Sequence, residues 1–263
     1  MAADVTSAEA PATPAPRASR PHQLRLSLIY GGLAVVFACA IAGVVVFAGR
    51  TIHPAPAWSS WKPKGGGQGA TSEIAAHVGG MYHLPNGNQL VDVISKEPYI
   101  PSSNGPVPIH YIAVRGTNGK PDQFYPTDPT NSVMYSLCGL GASCAIASGK
   151  PSRERARLVQ REILELALYT FKYVRSMQNV VAFMPPPLGK QPQYVVYLRA
   201  SDVATELKKP LAMTLNPKAP LPQSIPLKEV QLIDQTTNPR VYSFGVAQAP
   251  QGDLLFVLKP FNG

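Results

Sequence analysis

The sequence is short of several residues on which functional classes depend. It has three cysteines and two tryptophans, and its 15 acidic residues are outnumbered by 24 lysines and arginines. So few cysteines exclude a disulfide-rich scaffold, and no second Cys or His pair completes a four-ligand zinc site. Proline is abundant instead: 28 in 263 residues is about twice the usual share, which argues against an all-helical bundle.

The short motifs of enzymes are missing too. There is no G-x-S-x-G elbow, no P-loop and no H-E-x-x-H helix. Ser59 and Lys62 have the S-x-x-K spacing of penicillin-binding enzymes, but they lie in a proline-flanked segment with no K-T-G after it. The sequence indicates no cofactor and favours a function other than catalysis. A hydrolase with its nucleophile and base far apart in sequence stays an alternative.

One long apolar run lies near the start of the chain. The 23 residues from Leu26 to Ala48 carry no formal charge. As a helix they would reach about 34 Å at 1.5 Å per residue, against a bilayer core of about 30 Å. Secretory h-regions are shorter, and lipidation at Cys39 would leave apolar residues behind it. We therefore predict a transmembrane helix over residues 24–49.

The orientation of this helix follows from the basic residues around it. Three precede the run and three follow it, namely Arg17, Arg20 and Arg25, then Arg50, Lys62 and Lys64. The upstream group is the more tightly packed, so the positive-inside rule favours a cytoplasmic N-terminus. We predict that residues 1–23 form a disordered cytoplasmic tail and that the C-terminal part is extracytoplasmic.

Small residues recur on one face of the predicted anchor. Ala34, Ala38 and Ala42 are four residues apart, a pattern that lets a second transmembrane helix approach closely. Alanine-rich anchors also produce this spacing by chance. A partner helix is therefore an expectation and not a requirement.

Cys138 and Cys144 bracket five residues, a spacing that fits neither redox nor zinc CxxC motifs. We predict a small structural disulfide between them, given a non-reducing compartment. Two free buried thiols are the alternative.

The rest of the chain divides into a linker and a folded domain. Proline and glycine dominate residues 50–71, which we predict to be a linker, and an α+β domain should occupy residues 72–263, beginning with a short helix capped by Ser72. Asn86-Gly87 and Asn118-Gly119 each lie between apolar runs and predict tight hairpins.

One main helix is expected from Ser152, as N-cap, to about Met177, with an apolar face against a sheet and Arg161 and Glu165 on the opposite polar face. Short β-rich runs follow at 180–184 and 194–198, and the chain closes with apolar runs at 230–233, 241–246 and 254–258. These elements predict a mostly antiparallel sheet with one main helix.

Two groups of residues are candidates for binding. The densest basic patch consists of Lys150, Arg153, Arg155, Arg157 and Arg161. Cations at a helix start oppose its dipole, so the patch either solvates a polar face or receives an anion such as a headgroup, a wall phosphate or a partner's carboxylates. The patch has no interleaved aromatics, which disfavours nucleic acid.

The second group is His77, Met81 and His83, two imidazoles and a thioether that lie close in sequence. Such soft ligands suit a metal such as copper. The alternative is that these side chains simply pack or face solvent, and a metal or small-ligand binder is accordingly a second functional alternative.

The Ala/Pro/Arg-rich composition and the order of tail, anchor and outer domain resemble those of small bitopic envelope proteins of high-GC bacteria. We therefore expect a single-pass protein of the bacterial cell membrane, in contact with the lipid bilayer. Its extracytoplasmic domain should serve as an interaction or scaffold module for an envelope protein or anionic polymer.

Overall fold

The computed structural model describes residues 21–48, 57–103 and 105–261. The chain forms two units, Met1–Ala55 and Pro56–Gly263. The helices are α1 (Pro21–Ala48), α2 (Gly67–Gly79), α3 (Arg153–Tyr173), α4 (Leu211–Thr214) and α5 (Leu227–Thr237). The strands are β1 (Asp92–Lys96), β2 (Tyr99–Ile100), β3 (Val107–Val114), β4 (Gln123–Pro126), β5 (Ser132–Cys138), β6 (Asn179–Phe183), β7 (Tyr194–Arg199), β8 (Val241–Gln248) and β9 (Leu254–Pro260).

Helix α1 coincides with the long apolar run, and it is 28 residues long. Its described large apolar side chains are exposed, among them Leu28, Leu33 and Phe37. Over the described residues, no helix combines the length and the apolarity needed to cross a bilayer. The predicted tail falls mainly on residues 1–20, which lie outside the described part of the chain, as do residues 49–56.

The folded unit begins earlier than the predicted boundary at residue 72. Trp58 and Trp61 pack against the main core, and the carbonyl oxygen of Trp58 accepts a hydrogen bond from Leu211 N at 2.7 Å. Helix α2 starts at Gly67, so Ser72 lies inside it and donates to Gln68 O instead of capping. Residues 57–71 of the predicted linker thus belong to the domain.

The sheet is large and mixed, in the order β1-β5-β6-β7-β8-β9-β3-β2, and β4 pairs with the C-terminal half of β3. Strands β5 and β6 pair in parallel, and so do β3 and β9; the other named pairings are antiparallel. A parallel pair needs a crossover connection, and α3 supplies it between β5 and β6. The α+β class is confirmed, with a sheet more mixed than predicted.

The two Asn-Gly turns have different outcomes. Asn118 and Gly119 both have positive φ, 54° and 77°, the backbone that a type I′ turn needs, and they join the antiparallel strands β3 and β4. Asn86-Gly87 also forms a turn, but only a single bridge, His83 to Gln89, flanks it. Strand β1 pairs with the distant β5 instead.

Alternation along the central strands creates two cores. In β5, Val133, Tyr135 and Leu137 join the main core beneath the helices, whereas Met134 joins a smaller one. Successive side chains of a strand point to opposite faces, so both faces of this sheet are apolar. The smaller core combines β3 and β9 with β5, β6 and β7, which means that the sheet curls over and covers its own second face.

Helix α3 is more deeply buried than the sequence predicts. Its N-cap is Ser152, as predicted: the Ser152 side chain accepts a hydrogen bond from Arg155 N at 3.2 Å. Every residue from Leu158 to Phe171 is buried, however. The helix packs against α2, α5 and the sheet, so the predicted polar face does not exist over this stretch.

The C-terminal segment agrees with its predicted secondary structure only in part. The apolar run 230–233 lies in α5 and is helical, whereas the runs 241–246 and 254–258 form the paired strands β8 and β9. With α2 and α5 beside α3, the domain has more than one substantial helix.

Candidate functional site

A groove of about 530 Å³ lies where α3 begins. Its walls are the loop after β5, the start of α3 and the loop Pro185–Pro187. Apolar side chains form much of its lining, including Ile146, Val159, Met184 and Tyr194. We call this feature the basic groove because Lys150 and Arg155 also line it.

The disulfide shapes one wall of the basic groove. Cys138 and Cys144 are bonded, as predicted. Gly139 N donates to Cys144 O at 2.8 Å, which closes the loop tightly. A Cβ at Gly139 would lie 2.2 Å from Ala145 O, too close for any side chain. The loop therefore depends on glycine at this position as well as on the disulfide.

The two cations of the groove differ in their surroundings. Lys150 is exposed. Arg155 is half-buried, and its Nη1 donates to Ser148 O at 2.9 Å. Burial lowers the pKa of the Arg155 guanidinium, which means that this cation is partly desolvated and would gain from an anionic partner. A second cavity of about 390 Å³ borders the same segment, Ser148–Arg155.

The other members of the predicted basic patch lie elsewhere. Arg153 is exposed and does not line the groove. Arg157 donates from Nε and Nη2 to both oxygens of Asp234, each at 2.9 Å. Arg161 is completely buried. The structure therefore brings together two of the five residues at the groove.

The structure brings two of the three predicted metal ligands to one small cavity, His77 and Met81, and His83 is not among the residues that line it. The His77 ring stacks on Trp61 with centroids 3.9 Å apart, while His83 is exposed and its Nδ1 lies 3.3 Å from the carbonyl oxygen of Met81. Throughout the described ranges, no group of three or more His, Cys, Asp or Glu side chains could hold a metal ion.

A buried charge cluster lies beneath α2 and α5 and consists of Tyr82, Arg161, Glu165 and Glu229. Arg161 Nε donates to Glu229 Oε2 at 2.6 Å, and Nη1 donates to Glu165 Oε2 at 3.1 Å and to the Tyr82 hydroxyl. Tyr82 in turn donates to Glu165 Oε2 at 2.6 Å. Arg161 Nη2 donates to Asn216 O at 2.8 Å, so all three guanidinium nitrogens are bonded.

Glu162 lies beside this cluster without a partner. It is completely buried, and neither carboxyl oxygen has a hydrogen bond within the described residues. Burial, helped by the charge of Glu165, raises the pKa of Glu162 well above its ordinary value. Burial also raises the pKa of Glu165, although Arg161 opposes this effect. A buried carboxylate without a partner is costly, so the neutral acid is the favoured form of Glu162.

The sequence did not reveal this cluster. The helical spacing predicts Arg161 and Glu165 on a polar face, where such a pair is worth a few tenths of a kcal/mol, but the structure buries both side chains. Their partners Tyr82 and Glu229 lie 79 and 68 residues from Arg161. The one available signal was three charged residues, Arg161, Glu162 and Glu165, within an otherwise apolar stretch.

We predict that Arg161→Met lowers the free energy of unfolding by about 3–5 kcal/mol, because it leaves Glu165 and Glu229 buried without their cation. Chemical denaturation measures this value. Arg157→Met is the matched control: it breaks a partly exposed pair and should cost about 1 kcal/mol or less. Equal losses in the two variants would contradict the burial of the cluster.

A second prediction concerns pH. Because the folded state retains a proton on Glu162 that the unfolded chain releases above its ordinary pKa of 4.5, the parent loses stability as the pH rises. Glu162→Gln lacks this proton. Its unfolding free energy should match that of the parent near about pH 4 and exceed it increasingly towards about pH 8.

Glu154→Gln is the control for this pH series. Hydrogen bonds from its own backbone N–H and from Ser152 lower the pKa of Glu154, so its charge stabilises the fold above the ordinary pKa and this contribution is lost as the pH falls. That variant should be less stable than the parent at neutral pH. A difference of the same sign for both variants, or one independent of pH for Glu162→Gln, would contradict a buried neutral acid.

Comparison of the chain with protein-family models, with curated proteins and with solved structures finds no match. No residue role is therefore carried over from another protein. The function therefore has to be inferred from the chemistry of the basic groove and of the buried charge cluster.

Proposed function

We propose that the chain is a membrane-anchored interaction module of the cell envelope, and that its basic groove binds an apolar segment of another envelope protein that carries an acidic residue. The observation that carries this proposal is that apolar side chains and two cations, Lys150 and Arg155, line the same groove of about 530 Å³. Burial of apolar surface supplies affinity, and the two cations select for negative charge.

The apolar lining of the basic groove favours a peptide over an anionic polymer as its ligand. A wall polymer or other polyanion would satisfy the cations but has little apolar surface to bury against Met184 and Val159. The three prolines at 185–187 fix their own φ angles, so this wall loses little conformational entropy when a ligand binds. A peptide with apolar and acidic side chains suits both parts of the groove.

Three observations support a membrane anchor and an extracytoplasmic location for the domain. The run from Leu26 to Ala48 has no formal charge. In α1, Leu28 is 73% exposed and Phe37 68% exposed, and such large apolar surfaces favour a lipid environment over water. The disulfide suits a non-reducing compartment. We infer a membrane anchor with an extracytoplasmic domain from these three observations, although no helix among the described residues combines the length and the apolarity needed to cross a bilayer.

Site-specific photocrosslinking in intact membranes tests the proposed function. A photoreactive residue at Leu188, which lines the groove and is 75% exposed, should crosslink to a protein whose modified segment is apolar with an Asp or Glu nearby. The same probe at Leu227, 72% exposed and outside the groove, is the position control. Lys150→Glu should reduce the yield at Leu188 about fivefold, the equivalent of about 1 kcal/mol.

Lys120→Glu supplies the charge control, because Lys120 is exposed and does not line the groove. Equal yields at Leu188 and Leu227 would contradict the proposal. So would the same loss of yield from both lysine substitutions, or adducts made only with lipid, which would identify the groove as a lipid site.

A further inference from the structure

A smaller cavity lies further along α3 than the basic groove, at Glu165 and Tyr169. Its volume is about 200 Å³, and the side chains that carry its chemistry are Trp58, Ser59, His77, Met81, Glu165 and Tyr169. We call it the aromatic cavity. A water molecule takes up about 30 Å³ of liquid, so the cavity has room for a ligand of roughly six or seven non-hydrogen atoms.

Three aromatic side chains line the aromatic cavity, Trp58, His77 and Tyr169, and their rings belong to one cluster. Tyr169 is at its centre: its ring centroid is 5.5 Å from Trp58, 5.5 Å from Trp61 and 5.6 Å from His77. Trp58 already has one cation near its ring, the Lys172 ammonium at 5.5 Å from the centroid. Aromatic faces attract cations through their quadrupole, and tryptophan does so best.

Glu165 links this cavity to the buried charge cluster. It is 2% exposed, and Oε2 receives the hydrogen bonds from Tyr82 and Arg161. Both hydrogen bonds of this carboxyl go to Oε2, so the other oxygen, Oε1, has none within the described part of the chain. Since Glu165 also lines the cavity, Oε1 is the atom available to a ligand there.

The charge balance of the buried charge cluster also favours a cationic ligand. The carboxyls of Glu165 and Glu229 both contact one guanidinium, that of Arg161. The cluster thus contains one more acidic than basic group, and a buried anion without a full counter-charge is costly. Burial raises the pKa of Glu165 accordingly, and a cation in the cavity would favour its ionised form.

We propose that the aromatic cavity binds a small organic cation of the ammonium class, with Trp58 and Tyr169 as its aromatic walls and Oε1 of Glu165 as its counter-ion. A metal ion would find the Glu165 carboxylate together with His77 and Met81 here, but the aromatic walls favour an organic cation. This site is separate from the basic groove, so either can fail without the other.

Intrinsic fluorescence of the full-length chain is a selective test, because the sequence has only two tryptophans, one lining the cavity and the other stacked on His77. The probe is choline, and the matched neutral ligand is 3,3-dimethyl-1-butanol, which has the same shape without the charge. We expect a saturable change with choline, and binding of the neutral analogue at least about tenfold weaker, which corresponds to about 1.4 kcal/mol.

Two variants locate the site. Glu165→Gln keeps the shape of the side chain and should weaken choline binding about tenfold or more, whereas Glu97→Gln, at a glutamate outside the cavity, should not change it. Should Glu165→Gln fail to fold, Ala212→Phe replaces it: Ala212 is exposed and lines the cavity, so the larger ring blocks access and should abolish binding while leaving the cluster intact.

The proposal is overturned if the folded parent shows no saturable change with choline. It is also overturned if choline and its neutral analogue bind equally, which would leave only an apolar pocket, or if binding survives in Ala212→Phe. None of these results bears on crosslinking at Leu188, so failure of this proposal and failure of the proposed function are distinguishable.

Discussion

The guanidinium of Arg161 is the constraint on which the domain depends. A cation with no exposed surface loses its hydrogen bonds to water, and protein groups have to replace them. Here those groups come from the segment after α2 (Tyr82), from α3 itself (Glu165), from the loop at Asn216 and from α5 (Glu229). One side chain thereby fixes the positions of segments that are distant in sequence.

Both candidate sites depend on the placement of α3. The basic groove is at its beginning, where Arg155 lies, and the aromatic cavity is further along, where Glu165 and Tyr169 lie. Glu165 belongs to the buried charge cluster and to the cavity at once. The cluster therefore contributes the carboxylate of the aromatic cavity and, through α3, helps to position one wall of the basic groove.

Local signals made some features predictable: Ser152 as a cap, Asn118-Gly119 as a turn and the short cysteine spacing each act within a few residues. The burial of Arg161 and Glu165 does not follow from their spacing, because an i,i+4 ion pair has the same spacing on a surface and in a core. The apolar run at 230–233 likewise suits a strand or a buried helix. In both cases the decision depends on contacts made by distant segments.

A double-mutant cycle on Arg161 and Glu229 tests the central role of the buried pair most directly. The free energy of unfolding is measured for Arg161→Met, for Glu229→Gln and for the double variant. The double variant should be more stable than the sum of the two single losses implies, by at least about 1 kcal/mol, because the two side chains interact directly. Additivity within about 0.5 kcal/mol would contradict the account, since it would mean that the two groups do not depend on each other.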